Sequence, residues 1–234
     1  MQVVLEAIFY HSGGYNYLHA QVCSEFRTLA PKTDLLTYID GLCEVHDGDF
    51  YRPCNINLKD VLNYIGYRNA NICTSLAETG HKKLFKWAIT LGYIPDEETV
   101  ERAIEFGNLH ILKHIYKGGW IDAEYWYYGE PQEFAIEYGR LEIFKWLEGH
   151  HIGWHSTVLC DCAEHGHLEI LQWALDSGYW MHVEVFYSAA EKGQLAILKW
   201  LVENFYSFWD EGVLRAAIET CQVEIIKYII TNNL

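Results

Sequence analysis

One phrase recurs along this chain, and nothing else in the sequence limits its fold as tightly. Six segments align: "SLAETGHKKLFKWA" from Ser75, "RAIEFGNLHILKHI" from Arg102, "FAIEYGRLEIFKWL" from Phe134, "DCAEHGHLEILQWA" from Asp161, "SAAEKGQLAILKWL" from Ser188 and "AAIETCQVEIIKYI" from Ala216. The turn residue falls at Gly80, Gly107, Gly139, Gly166, Gly193 and Cys221, at steps of 27, 32, 27, 27 and 28 residues. Self-similarity at a fixed period of this length marks an array of supersecondary units.

Each unit reads as two short helices around a turn. Small or apolar residues precede the turn, as in Cys162-Ala163 and Ala189-Ala190, and let a neighbouring helix approach closely. Glycine then supplies the left-handed residue that ends a helix at little cost. The second helix carries an apolar stripe, such as Leu168, Ile170, Leu171 and Ala174, with an aromatic residue seven positions after the turn. Neither helix is long enough to stand alone, so each must bury its stripe against its neighbours. The expected fold is an all-α helical-repeat solenoid of about six helix pairs, with Trp87, Trp146, Trp173 and Trp200 in its core. Cys221 in place of the turn glycine marks the last unit as a cap.

The phrase running from Ala189 to Leu201 resembles the ankyrin repeat. The family's opening "T-P-L-H" is absent, and about 27 residues is shorter than the usual repeat, so the loops between units should be short. The tryptophan after the turn, with further aromatics in "GYW" and "FWDE", resembles a divergent ankyrin subclass of giant viruses and protists. The resemblance covers roughly residues 70–234 and implies a scaffold for protein–protein interaction. His114 departs from the pattern by replacing the repeated Trp, and residues 57–66, "NLKDVLNYIG", read as the second helix of a degenerate earlier unit.

The N-terminal stretch does not follow the repeat. Residues 3–30 read as a helix, a Gly-Gly turn and a second amphipathic helix, and "LHAQVCSEFRTLA" (18–30) is similar to the second half of an F-box. That resemblance implies docking on the adaptor of a cullin–RING ubiquitin ligase, with Leu5, Ile8, Phe9 and Phe26 as candidate contacts. The alternative is a helical cap over the open end of the array, which repeat proteins require. The expected organisation is therefore an F-box-like or capping segment at 1–35, a linker at 36–56 with a turn near Gly48, and the ankyrin-like repeat domain at 57–234.

Charge and composition exclude several classes. The formal net charge is −15, which opposes phosphate binding and argues against a nucleic-acid partner while suiting a basic protein one. Seven cysteines in a chain rich in large apolar residues point to a reducing compartment rather than a disulfide framework. The start, "MQVVLEAIFYHSGG", has no basic n-region and carries Glu6 within its apolar run, unlike a secretory leader. No apolar run approaches a membrane span. An intracellular, cytoplasmic protein is expected, host cytoplasm if viral, with a monomer favoured.

Catalytic motifs are missing from the sequence: it has no phosphate-cradling glycine loop, no H-E-x-x-H and no nucleophile elbow. The chain is expected not to be an enzyme and to need no cofactor or metal. Cys160, Cys162, His165 and His167 crowd together in "CDCAEHGH", but the same slots hold Ala, Asn or Gln in other units, so core and turn is the reading. His150, His151 and His155 fall in a loop between repeats. The longest unit carries its extra residues near "GGWIDAEYWYYGEPQE", which makes Tyr125, Trp126, Tyr127 and Tyr128 candidate partner-binding anchors; the alternative is that the rings pack on adjacent repeats. The function expected is a protein-interaction scaffold, in its sharper form a substrate-recruiting adaptor of a ubiquitin ligase. The competing reading is a structural or assembly component, for instance of a virus particle.

Overall fold

Among the described residues, two two-residue strands come first and helix pairs make up nearly all of the rest. The structure, a computed structural model, describes residues 45–46, 49–50, 71–127, 130–152 and 157–234. The expectations for segment 1–35, with Leu5, Ile8, Phe9 and Phe26, and for the helix at 57–66 lie outside these residues. Two compact units, Met1–Ile121 and Asp122–Leu234, are taken in turn.

In the first unit, β1 (Val45–His46) pairs antiparallel with β2 (Asp49–Phe50), Val45 opposite Phe50 and His46 opposite Asp49. The intervening sequence is Asp47-Gly48, a dipeptide favoured between hairpin strands. Two helix pairs follow: α1 (Ile72–Thr79) with α2 (Lys82–Thr90), and α3 (Glu97–Glu105) with α4 (Leu109–Gly118). Their starts are set by side chains. Asn71 Oδ1 accepts from Cys73 N at 3.0 Å to cap α1. Asp96 caps α3 with a reciprocal box, in which Thr99 N donates to Asp96 Oδ1 at 2.9 Å and Asp96 N donates to Thr99 Oγ1 at 3.3 Å. Asn71 Nδ2 also donates to Asp96 Oδ2 at 2.8 Å, so the two caps share a bond. Burial pulls the Asp96 carboxyl upward, but hydrogen bonds from the Thr99 hydroxyl, the Asn71 amide and the Thr99 N–H outweigh it and hold the group below its ordinary range.

The second unit opens with a short helix, α5 (Ala123–Tyr127), and continues with four pairs. These are α6 (Glu130–Glu137) with α7 (Leu141–Glu148), α8 (Val158–His165) with α9 (Leu168–Asp176), α10 (Glu184–Glu191) with α11 (Leu195–Phe205), and α12 (Gly212–Glu219) with α13 (Val223–Asn232). A single 3-10 turn, Tyr206–Phe208, follows α11. The first helices stack in order, α6 on α8, α8 on α10 and α10 on α12. Their buried residues repeat at one spacing, Val158, Leu159, Cys162 and Ala163 in α8, then Val185, Phe186, Ala189 and Ala190 in α10. The second helices bury Ile170, Leu171 and Ala174 in α9, and Ile197, Leu198 and Leu201 in α11. This is the helical-repeat solenoid the periodicity requires, and among the described residues the fold is all-α apart from the strand pair.

The turn between paired helices has a second function. Gly166 sits at φ +84, and its N–H donates to Cys162 O at 3.1 Å. His167 N also donates to Cys162 O, at 3.0 Å, which closes the left-handed helix end. After four of the turns the next residue then reaches back to the preceding unit. His167 Nε2 lies 2.9 Å from Glu137 O, Gln194 Nε2 donates to Glu164 O at 2.9 Å, and Gln222 Nε2 donates to Glu191 O at 2.8 Å. In the first unit Asn108 Nδ2 donates to Ala77 O at 2.7 Å and to Glu78 O, the equivalent carbonyl, at 3.2 Å. These side chains lie directly over the earlier turn: a Cβ on Gly166 would stand 2.7 Å from Gln194 Oε1. The turn glycine is thus favoured both by its backbone angle and by the room it leaves for its successor's amide.

The repeated tryptophans are less uniform than the sequence suggests. Trp87 is buried, but Trp146, Trp173 and Trp200 are only partly so, which corrects their placement as core. Trp173 packs its ring edge-to-face on Phe144 at 5.6 Å and leaves the remainder in solvent. Where His114 replaces the tryptophan, Trp120 folds back onto its imidazole with ring centres 5.5 Å apart. Gly118 makes room for this, since a Cβ there would meet the Trp120 ring at 2.0 Å.

Candidate functional site

The short helix α5 carries the aromatic run singled out as a partner-binding site, and it divides that run. Tyr125 and Trp126 are each 7% exposed and meet edge-to-face at 5.8 Å, so they are packing residues and not exposed anchors. The cause is amphipathic: a five-residue helix lying on α6 can be held in place only by turning its large rings inward. Tyr127 points outward at 77% exposure. Tyr128 lies outside the described residues.

The cysteine and histidine cluster is dispersed by the turn geometry. Cys162 is fully buried in α8, and burial, with Asp161 and Cys160 adding to it, pushes its thiol well above the ordinary range. Cys160 is half-buried and also shifted upward, chiefly by burial. His165 Nδ1 lies 2.9 Å from Asp161 O in its own helix, whereas His167 reaches back to Glu137 O. The two imidazoles therefore serve different carbonyls. In the second histidine group, His150 Nδ1 lies 2.8 Å from Trp146 O with its ring 4.5 Å from that indole, and His151 is exposed at φ +55. His155 lies outside the described residues. Among the described residues no group of three His, Cys, Asp or Glu is placed to hold a metal ion, and no helix is long and apolar enough to cross a membrane.

The second unit contains a buried polar link that the sequence did not flag. Gln132 is fully buried at a slot that other units fill with Leu159 or Phe186, and its Nε2 donates to Glu148 Oε1. Tyr179 donates its hydroxyl to the same oxygen at 2.7 Å. Burial, the bond to Glu148 and that carboxylate's charge raise the phenol well above its usual range. One polar residue at an otherwise apolar slot was the available signal. The network joins α6, α7 and the loop after α9, and it is a structural tie.

Large exposed rings lie in the loops at the N-terminal ends of α10 and α12. Trp180, before α10, is 88% exposed, and Tyr206 and Phe208, before α12, are 56% and 39% exposed. The second loop is held against α10: Tyr187 donates to Asp210 Oδ2 at 2.7 Å, and Phe186 meets Trp209 edge-to-face at 6.0 Å. The exposed rings are flanked by the exposed carboxylates Asp176, Glu184, Glu203, Asp210 and Glu211. No Lys or Arg occurs in residues 176–191 or 203–214. Large rings on a tethered loop lose little entropy on binding, and the carboxylates complement a cationic partner. The sequence signal was aromatics persisting in the polar stretches "SGYWMH" and "NFYSFWDE".

No family model matches the chain, and no curated protein matches it. Among solved structures, the chain is similar to the human ASB11 ankyrin repeat domain at 17% identity and a TM-score of 0.49, over 63% of this chain and 77% of that one.

Proposed function

We propose that this protein is a protein-interaction scaffold whose second unit holds a basic segment of a partner protein. The supporting observation is Trp180, exposed at 88% on a loop whose flanks carry only carboxylates as charged groups. Arg or Lys side chains fit such a surface twice over, through the faces of the rings and through the acids around them. In the sharper form, the F-box-like segment at 18–30 recruits a ubiquitin-ligase adaptor while the repeats select the substrate.

The test is affinity capture from a eukaryotic lysate, comparing the native chain with a Trp180→Ala/Phe208→Ala variant and with Phe26→Ala. Both substituted loop residues are exposed, so the loop variant should keep its melting midpoint while losing a set of basic partners. Cullin-ligase components should depend on Phe26 and not on Trp180. An unchanged partner set in the loop variant would defeat the docking assignment. Ligase components absent from every sample would defeat the recruitment role alone.

A further inference from the structure

The first unit separates its charges by layer. Helix α1 packs on α3, and α2 packs on α4. The first helices, α1 and α3, carry Glu78, Glu97, Glu98, Glu101 and Glu105 against one cation, Arg102, which is paired to Glu105. The second helices carry Lys82, Lys83 and Lys86 in α2, Lys113 and Lys117 in α4, and no carboxylate. Lys82 and Lys117 are exposed and the other three half-buried. None of the five is ion-paired with a described residue. In a chain of net charge −15, a face of this sign stands out.

The later repeats show which acids are missing from it. In α7 and α13 the lysine six residues after the turn pairs with a glutamate three residues before it, Lys145 with Glu142 at 2.9 Å and Lys227 with Glu224 at 2.8 Å. The same two slots hold Lys86 and Lys83 in α2, and Lys113 and His110 in α4. His110 is engaged elsewhere, its Nε2 lying 3.0 Å from Gly80 O. Lys117 stands where α9 and α11 have Asp176 and Glu203, and Lys82 where every other unit has Leu or Val. Lys82–Lys86 and Lys113–Lys117 are like charges four apart on one helix, an arrangement that opposes folding. An anion laid across both helices removes that repulsion.

The two lysine rows form one patch. His114 of α4 meets Phe85 of α2 edge-on, with ring centres 6.2 Å apart. Burial, and then the charges of Lys86, Lys82 and Lys117, hold the His114 imidazole below its ordinary value. Lysines of both helices therefore lie within electrostatic reach of a single ring.

We infer that the α2–α4 face binds an acidic segment of a partner protein, a site opposite in sign to the loop that carries Trp180. Composition and width select this occupant. All five cations are lysine, a point charge that pairs with single carboxylates, and the forked guanidinium best suited to phosphate is absent from the face. The strip is two helices across, about 20 Å. A nucleic-acid duplex or a lipid surface is a broader anion and meets the repulsion of the −15 chain around the strip. A single acidic segment stays on the lysines.

Fluorescence anisotropy of a labelled decaglutamate peptide, titrated with the full chain at about 0.05 M salt, tests the inference. The variants are Lys86→Glu and Lys117→Glu. The control is Lys199→Glu, the exposed equivalent of Lys86 in the second unit. All three change the net charge equally, so a difference among them is local. The native chain should bind the peptide despite its own negative charge. Lys86→Glu and Lys117→Glu should each weaken binding about tenfold or more, and Lys199→Glu less than about twofold. Circular dichroism reports helicity, and exposed Lys117 decides the matter if Lys86→Glu fails to fold. A native chain that does not bind the peptide overturns the inference. Binding that Lys117→Glu leaves unchanged, or that it weakens no more than Lys199→Glu does, also overturns it. So does tighter binding of a DNA duplex or a phosphatidylserine vesicle through the same lysines.

Discussion

At the scale of single residues, the turn glycines show how one position answers to two demands. Gly166 and Gly178 both adopt positive φ, at +84 and +100, but only Gly166 has a neighbour where its Cβ would go. Gly178→Ala should cost about 1 kcal/mol for the left-handed backbone alone. Gly166→Ala should cost about 2–3 kcal/mol, since it also displaces the Gln194 amide from Glu164 O. Chemical denaturation of both variants measures the difference, and adding Gln194→Ala to Gly166→Ala should cost less than the sum of the two. The sequence made the glycine legible as a helix end. It hid the second demand, because a spacing of 28 residues between Gly166 and Gln194 carries no sign that they touch. The variation among Asn108, His167, Gln194 and Gln222 looks like tolerance until the structure shows that these four share an N–H donor to the preceding unit.

At the scale of helices, periodicity located every pair from residue 71 onward but misjudged depth. Seven residues after the turn is a position on the flank of the apolar stripe, so its ring is buried only as far as the neighbouring helix reaches. Trp87→Ala should cost about 3–5 kcal/mol and Trp173→Ala about 2 kcal/mol, read as melting shifts of unequal size. Tyr125 and Trp126 were misplaced for a related reason: composition alone does not tell a loop from a five-residue helix with an inner face. The cap of α3 yields a pH-dependent prediction. Asp96→Ala should cost about 1 kcal/mol near neutrality. Because the folded-state pKa of Asp96 is depressed, its contribution is complete above the unfolded carboxyl value and is lost as pH falls through the folded one. Asp96→Asn should therefore show a shallower acid-side fall in melting midpoint than the native chain.

At the scale of the whole molecule, charge and stability pull apart. The ion pairs among the described residues, such as Lys145–Glu142 and Lys227–Glu224, involve exposed partners and contribute little each. The net −15 is a diffuse self-repulsion that salt screens. Raising ionic strength from about 0.02 to 0.5 M should raise the melting midpoint, where a protein held by surface ion pairs would lose stability. The excess acid was visible in the composition. The absence of Lys and Arg from residues 176–191 and 203–214 could also be counted in the sequence, whereas the exposure of Trp180 between those acids came from the structure.

The backward-reaching amides give the molecule a direction. Gln194 completes the turn at Gly166, and Gln222 completes the one at Gly193, each across 30 or 31 residues to its carbonyl. On a ribosome, a turn already outside the exit tunnel would wait for the next unit to emerge before its last bond could form. Maturation would then pass from the N-terminal side toward α13 one turn behind synthesis.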